Sequence, residues 1–173
     1  MEADPPMNQV VQDAINRQIA EELTASYSYL AMSSYCQLQN FQGCARWLRA
    51  QSQEEYGHAM KLFDFLLDRN AKVELRALPK PVLDFPSVAA VFETALKQEQ
   101  EVSKQIDALY DLAFKEKTFA ALVQLQWFLT EQVEEEKTAR EIVAKFAMVA
   151  SDPASLLELD RELGSRTAEA AGE

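Results

Sequence analysis

Ala71-Lys72-Val73-Glu74-Leu75-Arg76-Ala77-Leu78-Pro79-Lys80-Pro81-Val82-Leu83-Asp84-Phe85-Pro86 is the stretch that decides the topology of this chain. It contains three prolines and has no clean helical or strand period, so it predicts an ordered loop lying over the outside of the fold. Its length carries the argument. Fully stretched it reaches roughly 53 Å at about 3.3 Å per residue, whereas a helix of about twenty-eight residues is about 42 Å long. The loop can therefore carry the chain back along a whole helix and start the next one parallel to the last. That is the single-crossover form of a four-helix bundle, and an up-down-up-down bundle would not need it.

Long Pro-free runs flank the loop on both sides, and each reads as amphipathic helix. A first helix is predicted from near Asn8 to between Leu38 and Asn40, with Val11, Ile15, Ile19, Glu22, Ser26, Tyr29 and Ser33 facing inward. After a short turn the second presents Cys44, Leu48, Gln51, Glu55, His58, Leu62 and Phe65 on one face. It stops at Asp68-Arg69-Asn70, where Asn suits a left-handed cap. Beyond the loop, Ser87 is a good N-cap for a third helix with Phe92, Leu96, Glu99, Val102, Ile106 and Leu109 inward. Lys115-Glu116-Lys117 forms a polar turn, and the fourth helix from near Thr118 turns Ala121, Leu125, Phe128, Gln132, Glu135, Ala139, Ile142 and Phe146 inward. Asp152 and Pro153 open a short fifth helix through Leu156, Leu157, Leu159 and Leu163, and Gly164 to Glu173 is expected to fray. The expectation is one all-α domain over residues 1–173, with the bundle at about 8–147, the fifth helix at about 153–164 and flexible termini.

Composition narrows the partners. A formal net charge of -11 disfavours nucleic acid and anionic membrane surfaces and suits a protein that handles cations. No run of about 18 apolar residues occurs, and the acidic start Met1-Glu2-Ala3-Asp4 is not a secretory or transit signal, so a cytoplasmic location is expected. Cys36 and Cys44 are too few for a structural zinc site or a disulfide framework, and are expected to be free thiols near a turn.

The chemistry lies where the apolar stripes are interrupted. Glu22 breaks the first, Glu55 and His58 the second, Glu99 the third, and Gln132 with Glu135 the fourth. A carboxylate facing a bundle core costs several kcal/mol unless its charge is compensated, against about 5–15 kcal/mol of total stability. Four converging carboxylates need a cation. Glu55 and His58 stand at i and i+3, so a carboxylate and an imidazole leave one side of the helix toward the same metal. Each residue alone has an ordinary explanation, a solvated Glu or a hydrogen-bonded core His, but the set does not. Four carboxylates balance two divalent irons, and oxygen-rich ligation with a single imidazole suits iron or manganese. Tyr29 lies two turns beyond Glu22 on the same face, so its phenol should point toward the site. Glu131 and Glu134 flank the inward pair of the fourth helix, and with Glu54 they could hold a third cation.

The motifs Glu22 to Tyr29, Gln53-Glu54-Glu55-Tyr56-Gly57-His58, Glu99, and Gln126-Trp127 followed by Glu131-Gln132-Val133-Glu134-Glu135-Glu136-Lys137 together resemble the bacterial non-haem ferritins, over about Asn8 to Gly164. The resemblance implies that Glu22, Glu55 and His58 hold one iron and Glu55, Glu99 and Glu135 a second. Glu55 would then bridge, with Gln132 as a nearby hydrogen-bonding residue. It also implies a third iron at Glu54, Glu131 and Glu134, Tyr29 as the tyrosine beside the diiron centre, and Trp127 as its neighbouring aromatic. A hollow shell of twenty-four copies follows from it, with the fifth helix on the fourfold axis. So does a ferroxidase reaction in which Fe2+ is oxidised by O2 or H2O2 and stored as a ferric mineral. Tyr56 stands where a bacterioferritin has its haem-ligating Met, so haem is not expected, and two cysteines cannot make the iron domain of a rubrerythrin. Where animal ferritins have acidic threefold channels, this chain offers Leu122 and Leu125. The alternatives are a non-catalytic shell subunit and a diiron oxidase acting on an organic substrate.

Overall fold

The computed structural model describes residues 7–166, which form five helices: α1 (Gln9–Leu38), α2 (Gln42–Asp68), α3 (Val88–Lys115), α4 (Phe119–Val149) and α5 (Pro153–Gly164). The expected flexible termini fall largely outside these residues. Local chemistry sets most helix ends. Asn8 accepts from the backbone of Val10 and Val11 at the start of α1, Ser87 from Ala90 at α3, and Asp152 from Ser155 at α5, where Pro153 occupies the first turn. After α2 the chain turns through Asn70 in the expected left-handed conformation (φ 52°).

Inter-helix hydrogen bonds give the directions. Ser26 meets Ser52 and Ser33 meets Ala45, so α1 and α2 are antiparallel. Glu21 pairs with Gln105 and Asn8 with Glu116, so α1 and α3 are antiparallel as well. Hence α2 and α3 run the same way, the single-crossover topology. The loop at 71–87 lies along α1. Its Lys72 carbonyl accepts from Asn16, its Glu74 amide donates to Asn16, and Phe85 meets the Tyr35 ring edge-on at 5.3 Å.

Two apolar cores occupy the two ends of the bundle. Val11, Ile15, Leu62, Leu66, Ile106, Leu125 and Phe128 belong to one, and Met32, Trp47, Leu48, Phe92, Ile142 and Phe146 to the other. Leu66 rather than Phe65 completes the buried face of α2; Phe65 is half-buried. Leu125 is fully buried, so of the Leu122 and Leu125 pair only Leu122 reaches toward the surface. Cys36 and Cys44 are free and buried on either side of the α1–α2 turn, and burial pushes the Cys36 thiol up to about 12.

The fifth helix closes the second core through Leu159 and Leu163. It also supplies what α2 lacks, because the N-cap Phe41 makes no side-chain cap bond. Asp160 accepts from the backbone amides of Gly43 at 3.1 Å and Cys44 at 2.7 Å. The approach is so close that a Cβ on Gly43 would lie 1.7 Å from the Asp160 carbonyl oxygen. Beyond Gly164, Ser165 Oγ donates to the Glu162 carbonyl and Arg166 to Gln51, and most of the segment expected to fray lies outside the described residues. No helix among the described residues is long and apolar enough to cross a membrane.

Candidate metal centre

Between the two apolar cores lies a polar layer to which all four long helices contribute. Glu22, Glu55, His58, Glu99, Gln132 and Glu135 are all buried there, Glu22 and Glu55 completely. Each sits on an inward stripe set by the three- and four-residue helical step, so the packing that buries Leu and Ile on either side buries the carboxylates too.

His58 Nδ1 lies 3.1 Å from Glu55 Oε2 and 3.8 Å from Glu22 Oε2. Glu22 Oε1 accepts from Gln18 Nε2 at 3.0 Å, but the buried Glu22 Oε2 has no hydrogen-bond partner. A desolvated carboxylate oxygen without a partner is costly, and a cation between it and His58 would satisfy it. Ligand atoms of Glu22, Glu55 and His58 lie within 4.8 Å of one another, as do those of Glu55, Glu99 and Glu135. Glu55 thus belongs to both groups. The donors, hard carboxylate oxygens with one imidazole, fit two iron ions.

Protons hold the layer together where cations are lacking. Burial and the neighbouring Glu99 push Glu55 upward; burial also raises Glu99, against the hydrogen bonds from Tyr29 and Gln132 that lower it. Glu135 is pushed up to about 8 by burial, with Glu99 and Glu54 adding to it. Burial pulls His58 down, but the adjacent Glu22 and Glu55 carboxylates outweigh it and carry the imidazole up to about 11. Divalent cations would replace these protons.

Tyr29 reaches the layer as expected, donating its hydroxyl to Glu99 Oε1 at 2.5 Å. Burial and the adjacent Glu99 hold it well above the usual phenol range, so it stays protonated. Gln132 Nε2 donates to Glu99 Oε2 at 3.2 Å and also approaches Ser103 Oγ. Trp127 stands edge-on to His58 with ring centroids 5.2 Å apart, and Lys61 Nζ lies over its other neighbourhood, 4.3 Å from the indole centroid.

The three residues expected at a third cation are not drawn together in the same way. Glu131 is half-buried and falls in a group with His58 and Glu135, also within 4.8 Å, whereas Glu134 is exposed. Glu54 instead accepts from Arg166 Nη2 at 2.7 Å. Two glutamines escaped the sequence reading as site residues. Gln18 bonds Glu22, and Gln51 Nε2 bonds Glu135 Oε2 at 2.7 Å and reaches Glu55 Oε1 at 3.4 Å. The signal was present: on both α1 and α2 a Gln precedes the inward Glu by four residues, one turn along the same face. Arg166 carried no such signal.

Comparison with known proteins agrees with this architecture. Residues 12–149 match the Ferritin family, described as a ferritin-like domain. The chain is 36% identical over 155 residues to a bacterial non-heme ferritin of Staphylococcus aureus, covering 90% of this chain and 93% of that one. A bacterial non-heme ferritin of Staphylococcus saprophyticus is 34% identical over 161 residues, covering 93% and 96%. Among solved structures, an open pore ferritin from the archaeon Archaeoglobus fulgidus superposes with a TM-score of 0.92 at 41% identity, covering 93% of this chain and 99% of that one. Five helices in the ferritin order, a polar layer at mid-bundle and this likeness along nearly the whole length place the chain in the ferritin family.

Proposed function

We propose that this protein stores iron and oxidises it on entry, with Fe2+ as substrate at an intrasubunit pair of sites. One observation carries the reading: the fully buried Glu22 Oε2 faces His58 without a hydrogen-bond partner, in a group with Glu55, which is shared by two sets of ligand atoms. Protons occupy this layer in the absence of cations, and two cations would replace them and give Glu22 Oε2 a partner. Glu22, Glu55 and His58 would take the first iron, and Glu55, Glu99 and Glu135 the second.

Ferrous ions entering the layer displace the protons on the carboxylates and on His58. The anionic oxygens then favour the ferric state, since hard donors stabilise the higher charge. Two ferrous ions give one electron each, and O2 takes both with two protons and leaves as H2O2. H2O2 as oxidant takes two electrons and two protons and becomes two waters. Tyr29 would orient Glu99 toward the second iron through its hydroxyl hydrogen bond. Gln132 holds Glu99 in place. Glu54, Glu131 and Glu134 form the rim where a third iron would sit. Assembly as a hollow shell of twenty-four copies in the cytoplasm, with no haem, no nucleic acid and no membrane partner, completes the proposal. Tyr56, exposed after Glu55, and the net charge of -11 support those exclusions.

Anaerobic titration with Fe2+ followed by an O2 pulse tests it. Two irons per chain should oxidise fast with a transient diferric absorbance, and Glu55→Ala should remove that phase while the assembled protein persists. Unchanged kinetics in the variant would overturn the assignment. A surface groove of about 240 Å³ reaches Gln132 and is walled by Ile106, Leu129 and Val133 as well as by Asp107, Glu136 and Arg140.

A further inference from the structure

The last described residue makes the most organised polar contacts outside the metal layer. Arg166 follows α5 and lies along one stripe of α2. Its guanidinium stacks over the Trp47 ring at 4.8 Å, donates Nη1 to Gln51 Oε1 at 2.9 Å and donates Nη2 to Glu54 Oε1 at 2.7 Å. Trp47, Gln51 and Glu54 are spaced at the helical step, so one planar side chain meets all three. Docking of α5 makes this reach possible, because Asp160 caps α2 at Gly43 and Cys44 and brings the end of α5 against the same helix.

Gln51 transmits the contact inward. A guanidinium can only donate, so it takes the amide oxygen of Gln51 and leaves the amide nitrogen for the carboxylates. That nitrogen donates to Glu135 Oε2 at 2.7 Å and toward Glu55 Oε1 at 3.4 Å. Arg166 is thereby one side chain removed from two of the proposed iron ligands, and directly on the rim carboxylate Glu54. The ion pair is half-buried, with the two side chains 23% and 19% exposed, so solvent screens it only in part.

Resting on the iron-binding reading above, we propose that Arg166 is a positioning residue and a tethered counter-cation: it occupies the Glu54 rim in place of a third metal ion and sets Gln51 toward Glu135, so a third cation binds only by displacing it. Binding at the rim then undocks the guanidinium from Trp47, which couples the end of α5 to the metal load of the bundle.

Zn2+ serves as a redox-inert probe, with Trp127→Phe as the background so that Trp47 is the sole indole. In this protein calorimetric titration should show two tight equivalents and a weaker third, and Trp47 emission should change only with the third. Arg166→Gln should bind the third equivalent about tenfold more tightly, the effect of removing one charge-assisted contact, with no further change in Trp47 emission. Arg166→Lys should restore the weak third step. If two equivalents bind tightly but the third and the Trp47 signal are the same with and without Arg166, this inference is overturned and the iron-binding reading stands. Loss of the two tight equivalents would overturn both.

Discussion

The polar layer and its rim are built from the same residue type and differ in what surrounds it. Glu22, Glu55 and Glu99 are held among four helices, away from water, and their charges are met by a single imidazole, by amides and by protons. Glu54, Glu131 and Glu134 lie one residue off those stripes, half-buried or exposed, where solvent and Arg166 meet their charge. One step of about 100° around a helix separates a carboxylate buried among four helices from one that solvent or Arg166 can meet. Affinity should therefore fall sharply from layer to rim.

The strongest way to break that contrast is to exchange the two kinds of position. His58→Ala removes the layer's only imidazole and should slow ferrous oxidation by at least about a hundredfold, since changes one shell further out already cost about 10–100-fold. Glu134→Ala should alter the fast phase by less than about twofold. Stopped-flow absorbance after anaerobic loading measures both, and equal losses would erase the distinction between layer and rim.

Gln51→Leu asks how far the layer depends on its supporting hydrogen bonds. It removes the donor to Glu135 and should weaken Zn2+ binding by about tenfold with the helix content unchanged. Calorimetric titration beside circular dichroism would show it, and an unaltered affinity would make Gln51 a spectator.

The protons in the layer give a third test. Between pH 4.5, where an ordinary glutamate titrates, and about 8, where Glu135 does, the folded protein keeps a proton that the unfolded chain has released. His58, raised from 6.5 to about 11, acts the same way at higher pH. The folded state binds the extra protons, so the chelated protein should lose stability as pH rises through this window. Scanning calorimetry from about pH 5 to about pH 9 should record a falling Tm, and saturating Zn2+ should release protons and flatten the fall. A Tm that rises with pH in the metal-free protein would contradict the protonated layer.

The smallest effect belongs to the α5 contact. Asp160→Ala leaves the first amides of α2 uncapped, worth about 1 kcal/mol, and should lower Tm by about 2–4 °C. Gly43→Ala, which forces a Cβ onto the Asp160 backbone, should act in the same direction. If neither moves Tm, α5 contributes nothing to holding α2.

The helices and the six inward polar residues were legible in the sequence because helical periodicity is local. Once Val11, Ile15 and Ile19 define an inward face, Glu22 must share it, and the same holds for Glu99 between Leu96 and Val102. The crossover was legible from the reach of the 71–86 stretch alone. Gln18 and Gln51 stood on the correct stripes, yet their partners lie one turn away or on another helix, and an amide on a polar face has many possible uses.

By itself, then, the order of residues determined five helices and which carboxylates turn inward, since both follow from steps of three and four along one chain, and the helix directions, since these follow from the reach of the connecting stretches. Tertiary structure alone decided that Glu22 Oε2 lacks a partner, that Tyr29 bonds Glu99, and that Arg166 rather than Glu131 or Glu134 meets Glu54. Those contacts join residues as far as 112 positions apart, and no local period encodes which side chains meet when helices pack.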